Sequence, residues 1–288
     1  MARSHRRQGP ALALGEVLLA CLRAAREAAG LGPGAADNAV HRVRRAMKRI
    51  HATVTLVPKP RADWLEAVRR EARALHRQLG AQRDRFVVER TWAKLLARHP
   101  RRWGALDGVV VWGAADPGAS DEPDWWEIER RLTELEARVG ACPRAPAVDL
   151  AEALRRSYRK ARRARSAAMA SPKWGRVHVW RKALARLQAQ LELNDRWLPR
   201  RARRLGCVLE KPTRQLGRCG DLSMLRRALA RCRFADAQTL AARDDLLAWI
   251  ERRSGKLLEK ALAATEGALA RRPRAIAKRL LRRDQPAR

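Results

Sequence analysis

Apolar residues recur along this chain mostly at helical spacing, with few runs that alternate as a half-buried strand would. Ala, Leu and Arg dominate and aromatic and β-branched residues are scarce, a composition that favours helix throughout. The pattern predicts helices over residues 12–29, 37–56, 61–79 and 84–98, then over 149–170, 174–195, 197–216 and 221–233. A further helix is expected near 125–139 and two more helical stretches between 235 and 281. Gly30-Leu31-Gly32-Pro33-Gly34 separates the first two, with Asp37 or Asn38 as the expected N-cap. Pro58 and Pro60 divide the next pair, while Pro172, Pro199 and Pro212 start or kink helices later on. The fold class is all-α. Residues 11–22 superficially resemble a signal peptide, but Glu16 breaks the apolar run and Leu12, Leu19 and Leu22 keep helical spacing, so an amphipathic helix is expected. No run of 18 apolar residues occurs, and no membrane span is expected.

The polar pattern repeats. Val40-His41-x-x-Arg44-Arg45-x-x-x-Arg49 returns as Val177-His178-x-x-Arg181-Lys182-x-x-x-Arg186, an interval of 137 residues. The same interval carries Arg77-Gln78-Leu79-Gly80-x-x-x-Asp84 onto Arg214-Gln215-Leu216-Gly217-x-x-x-Asp221. Two motifs in one register point to a duplicated structural unit. The expected organisation is a basic tail at 1–11, a first bundle repeat at 12–98, an acidic linker with one helix at 99–147, a second repeat at 148–234, and C-terminal helices with a basic tail at 235–288. Four helices in each repeat suggest two pseudo-symmetric four-helix-bundle halves. The C-terminal stretches have no evident copy in the first unit. In the motif after each stripe, Gly80 and Gly217 are expected to close a helix in a left-handed C-cap, and Asp84 and Asp221 to cap the next one. The other reading has each Asp orienting an Arg that faces a ligand.

Charge narrows the partner. Sixty-four Lys and Arg against 30 Asp and Glu leave +34 over 288 residues, which attracts polyanions whatever the fold. With 46% hydrophobic residues a proper core is still expected. The five cysteines include no C-x-x-C pair, so neither a zinc site nor a disulfide framework follows, and a reducing cytoplasm fits. The chain has no phosphate-loop motif and no H-E-x-x-H, and its acidic residues cluster between 116 and 136. No catalysis, cofactor or metal is therefore expected. Nucleic acid is the rival ligand, but one Tyr and two Phe offer few platforms for bases, so weak, non-specific binding through counterion release is the expectation there.

On a helical wheel, His41, Arg44, Arg45, Lys48, Arg49 and His51 fall within roughly 80° of one direction. Val43, Ala46, Met47, Ile50 and Val54 take the opposite side. In the second copy His178, Arg181, Lys182 and Arg186 share one face and Trp180, Leu184, Leu187 and Leu191 the other. Like charges at i,i+4 repel, so such a face invites an anion. The preceding helices add Arg23 and Arg26, which the interval carries onto Lys160 and Arg163, within a dense cluster that also includes Arg155 and Arg159. His76 and His99 show no partner at useful spacing and are expected on the surface.

The two His-x-x-Arg stripes, the lead-in Tyr158-Arg159-x-x-Arg162 and the Leu-Gly-x-x-x-Asp motif after each stripe together resemble CHAD domains, the conserved-histidine α-helical domains. The resemblance covers roughly residues 12–240. It implies helical bundles around a basic central cavity, inorganic polyphosphate as ligand, and residence on cytoplasmic polyphosphate granules with other granule-associated proteins as partners. It also implies His41, Arg44, Lys48 and Arg49 as ligand contacts, with His178, Arg181, Lys182 and Arg186 in the second half. The second stripe departs from the pattern at Ala185 and Gln188, where basic residues are usual.

Overall fold

The computed structural model describes residues 10–57, 63–109, 111, 122–142, 148–193, 198–234 and 236–276. Among these it is helical and contains no strand: α1 (Pro10–Ala29), α2 (Ala36–Val54), α3 (Asp63–Gln78), α4 (Gly80–Arg98), α5 (Pro100–Trp103), α6 (Trp125–Gly140), α7 (Leu150–Ala170), α8 (Trp174–Leu193), α9 (Arg200–Leu229) and α10 (Ala237–Leu269). Side chains start several of them. Asp124, Asp149 and Asp236 accept from the backbone N–H of Glu127, Glu152 and Thr239 at 2.9, 3.0 and 2.8 Å, satisfying donors the helix leaves open. For α2 neither Asp37 nor Asn38 caps; the helix begins one residue earlier behind Ala35, and Asp37 lies in its first turn.

Two of the expected helices, 197–216 and 221–233, are one. α9 runs unbroken for 30 residues through Pro212, whose missing N–H forfeits one backbone bond. Leu209, Pro212, Leu216 and Leu225 are all buried along it, and packing against α8 and α10 outweighs that loss. The C-terminal stretches likewise form one long helix, followed by a single turn at 273–276. The starts expected at residues 61 and 197, the N-terminal tail up to residue 9, Asp116, Asp121 and the tail beyond 276 lie outside the described residues.

Three cores hold the helices together. The first joins α1, α2, α3 and α6 through Leu18, Leu22, Val43, Ile50, Leu75 and Leu132. The second joins α7, α8, the first half of α9 and the end of α10 through Tyr158, Trp180, Leu187, Leu209 and Leu269. The third joins α4 and α5 to the second half of α9 and the first half of α10 through Val88, Trp103, Leu225 and Ile250. The membership of the first core differs from the sequence reading: α6, expected within an acidic linker, closes it, and α4 touches it through Phe86 while burying Val88 and Leu95 in the third core. The 137-residue interval is visible here as well. It carries Leu132 and Val139 of α6 onto Leu269 and Ile276, which close the second core, and Val88 of α4 onto Leu225 of α9. Because α2 packs on α8 and α4 on α9, the two basic stripes are brought together by helices whose apolar faces lie in different cores.

Candidate anion-binding site

The apolar sides of α2 and α8 are drawn into cores one and two, which turns their basic sides toward the seam between the helices. Val43, Met47 and Ile50 are fully buried on α2, as are Trp180, Leu184 and Leu187 on α8. Across the seam Arg186 of α8 sits 3.2 Å from Nε2 of His51 on α2. Arg can only donate, so the His51 ring accepts through Nε2 and is neutral, with its proton on a buried Nδ1 that has no protein partner. Arg181, Arg44 and Arg83 all lie close enough to Lys48 to act on it electrostatically, and Arg83 also acts on Arg44 and Arg181. Basic side chains of α2, α4 and α8 meet here.

Their proximity is recorded in their ionisation. Burial, then Arg181, Arg44 and Arg83, brings the Lys48 ammonium down to about 8, although the side chain keeps solvent access from the seam. Burial and Arg83 lower Arg44 to about 10, still charged at neutral pH. His51 falls to about 4 through burial and the neighbouring Arg186, Arg73 and Arg69, and His178 to about 4 through burial, Lys182, Arg181 and Arg227. His76, expected on the surface, is half-buried beside Arg44, Lys48, His51 and Lys182 and drops to about 3, mostly through burial. His41 is lowered by burial, Arg90, Lys48, Arg45 and Arg83. At neutral pH these four rings are uncharged.

The Leu-Gly-x-x-x-Asp motif does something other than cap. Neither Gly80 nor Gly217 adopts positive φ; Gly80 opens α4 and Gly217 is inside α9. Asp84 and Asp221 lie within α4 and α9 and cap neither helix; both pair with Arg83, at 3.2 and 3.3 Å. One carboxylate from each motif thus grips a single guanidinium. The interval carries Arg83 onto Gly220, where a β-carbon would lie 3.5 Å from Trp174 and 3.7 Å from Nε of Arg181. One half places an arginine at that position; the other leaves it bare beside its stripe arginine. Arg44 donates to the carbonyl of His76, the oxygen that the Gly80 N–H would take in an unbroken helix. That insertion marks the break between α3 and α4, while the same Gln-Leu-Gly triplet runs straight through in α9.

The sequence candidates are therefore sorted by the fold. Arg44, Lys48, Arg181, Lys182 and Arg186 converge. His41 and His178 share no neighbouring cation: the first faces Arg90 of α4, the second Arg227 of α9, two arginines again 137 residues apart. Arg45 is exposed near His41, and Arg49 acts on Cys21 of α1 instead of the seam. Arg23 and Arg26 are drawn to Glu136 of α6, at 2.9 and 3.5 Å. Arg155 is taken by Glu152 through a bond of 2.7 Å, Arg159 is half-buried on α7 and Arg163 is exposed there. Lys160 lines a cleft with Arg186. His51 lies on the first stripe but was not among the expected ligand contacts, and His76, Arg69, Arg73, Arg83, Arg90 and Arg227 were not among the candidates. The repeat interval alone marks Arg90 and Arg227, while Arg69, Arg73 and His76 come from α3 and carry no such signal.

Among the described residues no group of three His, Cys, Asp or Glu side chains is placed to hold a metal, and no helix is long and apolar enough to cross a membrane. The family model of the CHAD domain matches the chain from residue 16 to residue 230, that is from α1 to the end of α9. No curated protein and no solved structure matches.

Proposed function

The chain belongs to the CHAD domain family, and on that premise we propose that it binds inorganic polyphosphate, without turning it over, along the seam between α2 and α8. The observation that carries this reading is the meeting of Arg186 with His51 across the seam, in company with Lys48, Arg44 and Arg181. Two cationic faces repel at such range, and a linear anion with one charge per unit relieves the repulsion all along them. Arginine offers forked donors to two phosphate oxygens and lysine a compact charge. The ligand has no bases, so it asks for dense cations and no stacking surface. Arg44 and Arg181 each keep a buried Nε without a protein partner, donors that a phosphate oxygen would satisfy. Binding of this kind places the protein on cytoplasmic polyphosphate granules. There Trp126, 73% exposed on α6, is a surface for another granule-associated protein.

Competition separates this from non-specific nucleic-acid binding. At roughly 0.15 M salt, which weakens non-specific duplex binding through counterion release, labelled long-chain polyphosphate is expected to stay bound against an equal charge concentration of duplex DNA. Displacement by the DNA would reassign the seam to nucleic acid. Phosphate release from polyphosphate with Mg²⁺ or Mn²⁺ is expected to be nil, and steady turnover would make the protein an enzyme.

A further inference from the structure

A cleft of about 270 Å³ opens at the C-terminal end of α2, lined by Thr55, Arg69, Arg156, Ser157, Lys160 and Arg186 over a floor of Val54 and Val57. Four of its walls are cations drawn from three helices, α3, α7 and α8, and no carboxylate lines it. Glu66 and Glu152 pair with Arg69 and Arg156 from positions on those residues' own helices, at 3.3 and 3.8 Å. The guanidinium groups are positioned before any ligand arrives. Arg156 donates to the carbonyl of Leu56 at 3.0 Å, and Arg186 is held by His51 at 3.2 Å. Arg69 keeps a buried Nε that has no protein partner. The space is small for a ligand site and far too small for a duplex. Long chains pass along an open seam, whereas a recess takes something that stops.

We infer that this cleft seats a compact oligophosphate of two or three units, either the end of a polyphosphate chain or a free short oligophosphate. The inference rests on the proposed function, since Arg186 serves both the cleft and the seam. A terminal phosphate carries more charge than an internal one and exposes three oxygens, which suits cations converging from several directions better than a row along one helix. The hydroxyl of Ser157 adds a neutral donor at the same mouth.

Fluorescent tripolyphosphate is the probe. The wild type is expected to bind one per chain, and the Arg69→Gln, Lys160→Gln variant to lose at least tenfold in that affinity. The same variant is expected to lose clearly less for long-chain polyphosphate than for tripolyphosphate, because most long-chain contacts lie elsewhere on the seam. Circular dichroism checks its fold, and Lys160→Gln alone, at an exposed side chain, repeats the test with a smaller loss. Long chains with free ends and with chemically capped ends then serve as competitors. Displacement by free-ended chains only assigns the cleft to chain ends; displacement by neither assigns it to free oligophosphates. Equal displacement by both, or tripolyphosphate binding unchanged in the variant, overturns the inference and makes the cleft a stretch of the seam. Failure of the wild type to bind long chains at all would instead remove the proposed function itself.

Discussion

Arg44 and Arg181 occupy matching positions 137 residues apart, yet their partners differ: Arg44 donates to the His76 carbonyl, whereas Arg181 lies over Gly220 and reaches Nδ1 of His178 at 3.5 Å. A partly exposed arginine–phosphate pair contributes about 1 kcal/mol, so affinity must accumulate over many such contacts. Arg181→Gln should weaken long-chain polyphosphate binding by about fivefold, and Arg181→Glu by well over tenfold, since reversal adds repulsion to loss. A binding isotherm at fixed salt checks both, and equal effects of the two changes would mean that Arg181 acts only through the fold. The histidines add a pH dependence. His51 and His178 lie near 4 in the free protein because of burial and neighbouring cations, and a bound anion favours their protonated forms. Binding therefore takes up protons, and affinity should rise as pH falls from 7 to 5. A His51→Gln, His178→Gln variant should lose part of that slope, and a slope equal to wild type would remove the histidines from the ligand's surroundings.

At the scale of the helix, the distinction between Gly217 and Gly220 is the most useful one. Both are inside α9, but a β-carbon at Gly217 meets nothing within 4 Å while one at Gly220 meets Trp174 and Arg181. Gly217→Ala should stabilise the protein by roughly 0.5–1 kcal/mol through helix propensity and leave binding alone. Gly220→Leu should push Arg181 aside and cut polyphosphate affinity several-fold. Melting curves and isotherms of the two variants test the contrast, and it disappears if Gly220→Leu binds as wild type does. Helix existence was legible in the sequence because period 3.6 recurs throughout, and the stripe of α2 could be read residue by residue. Helix ends were less so. Pro212 is buried by α8 and α10, so tertiary packing overrides a local breaker, and Gly80 opens a helix where a cap was expected because Arg44 inserts at the His76 carbonyl. His76 was read as surface because nothing local tells which helix face will meet α2; that depends on how α3 packs.

For the molecule as a whole, the sequence showed that the chain is helical throughout, but not which helices share a core. α6 carries the acidic residues that mark a linker by composition, yet its buried Ile128, Leu132 and Val139 close the first core, and Glu136 draws Arg23 and Arg26 away from the stripes. Net charge has a thermodynamic consequence at this scale. His51, His76 and His178 stand near 4, 3 and 4 when folded against an ordinary 6.5, so the unfolded chain binds more protons between those limits. Stability from this source is complete above about pH 6.5 and declines as pH falls toward 4. The melting temperature of the free protein should drop from pH 7 to pH 5, and saturating polyphosphate should raise it at both and narrow the difference by mass action. A pH-independent melting temperature would contradict the burial of these rings, and an unchanged one with ligand would contradict binding.

Total charge and charge placement are separable. Arg44→Glu with Arg181→Glu changes net charge by as much as Arg203→Glu with Arg204→Glu, two exposed residues on the outer part of α9. Isotherms with long-chain polyphosphate at about 0.15 M salt should show the first pair losing more than roughly a hundredfold and the second less than about threefold. Equal losses from the two pairs would contradict the account, because affinity would then follow the +34 and not the seam between α2 and α8.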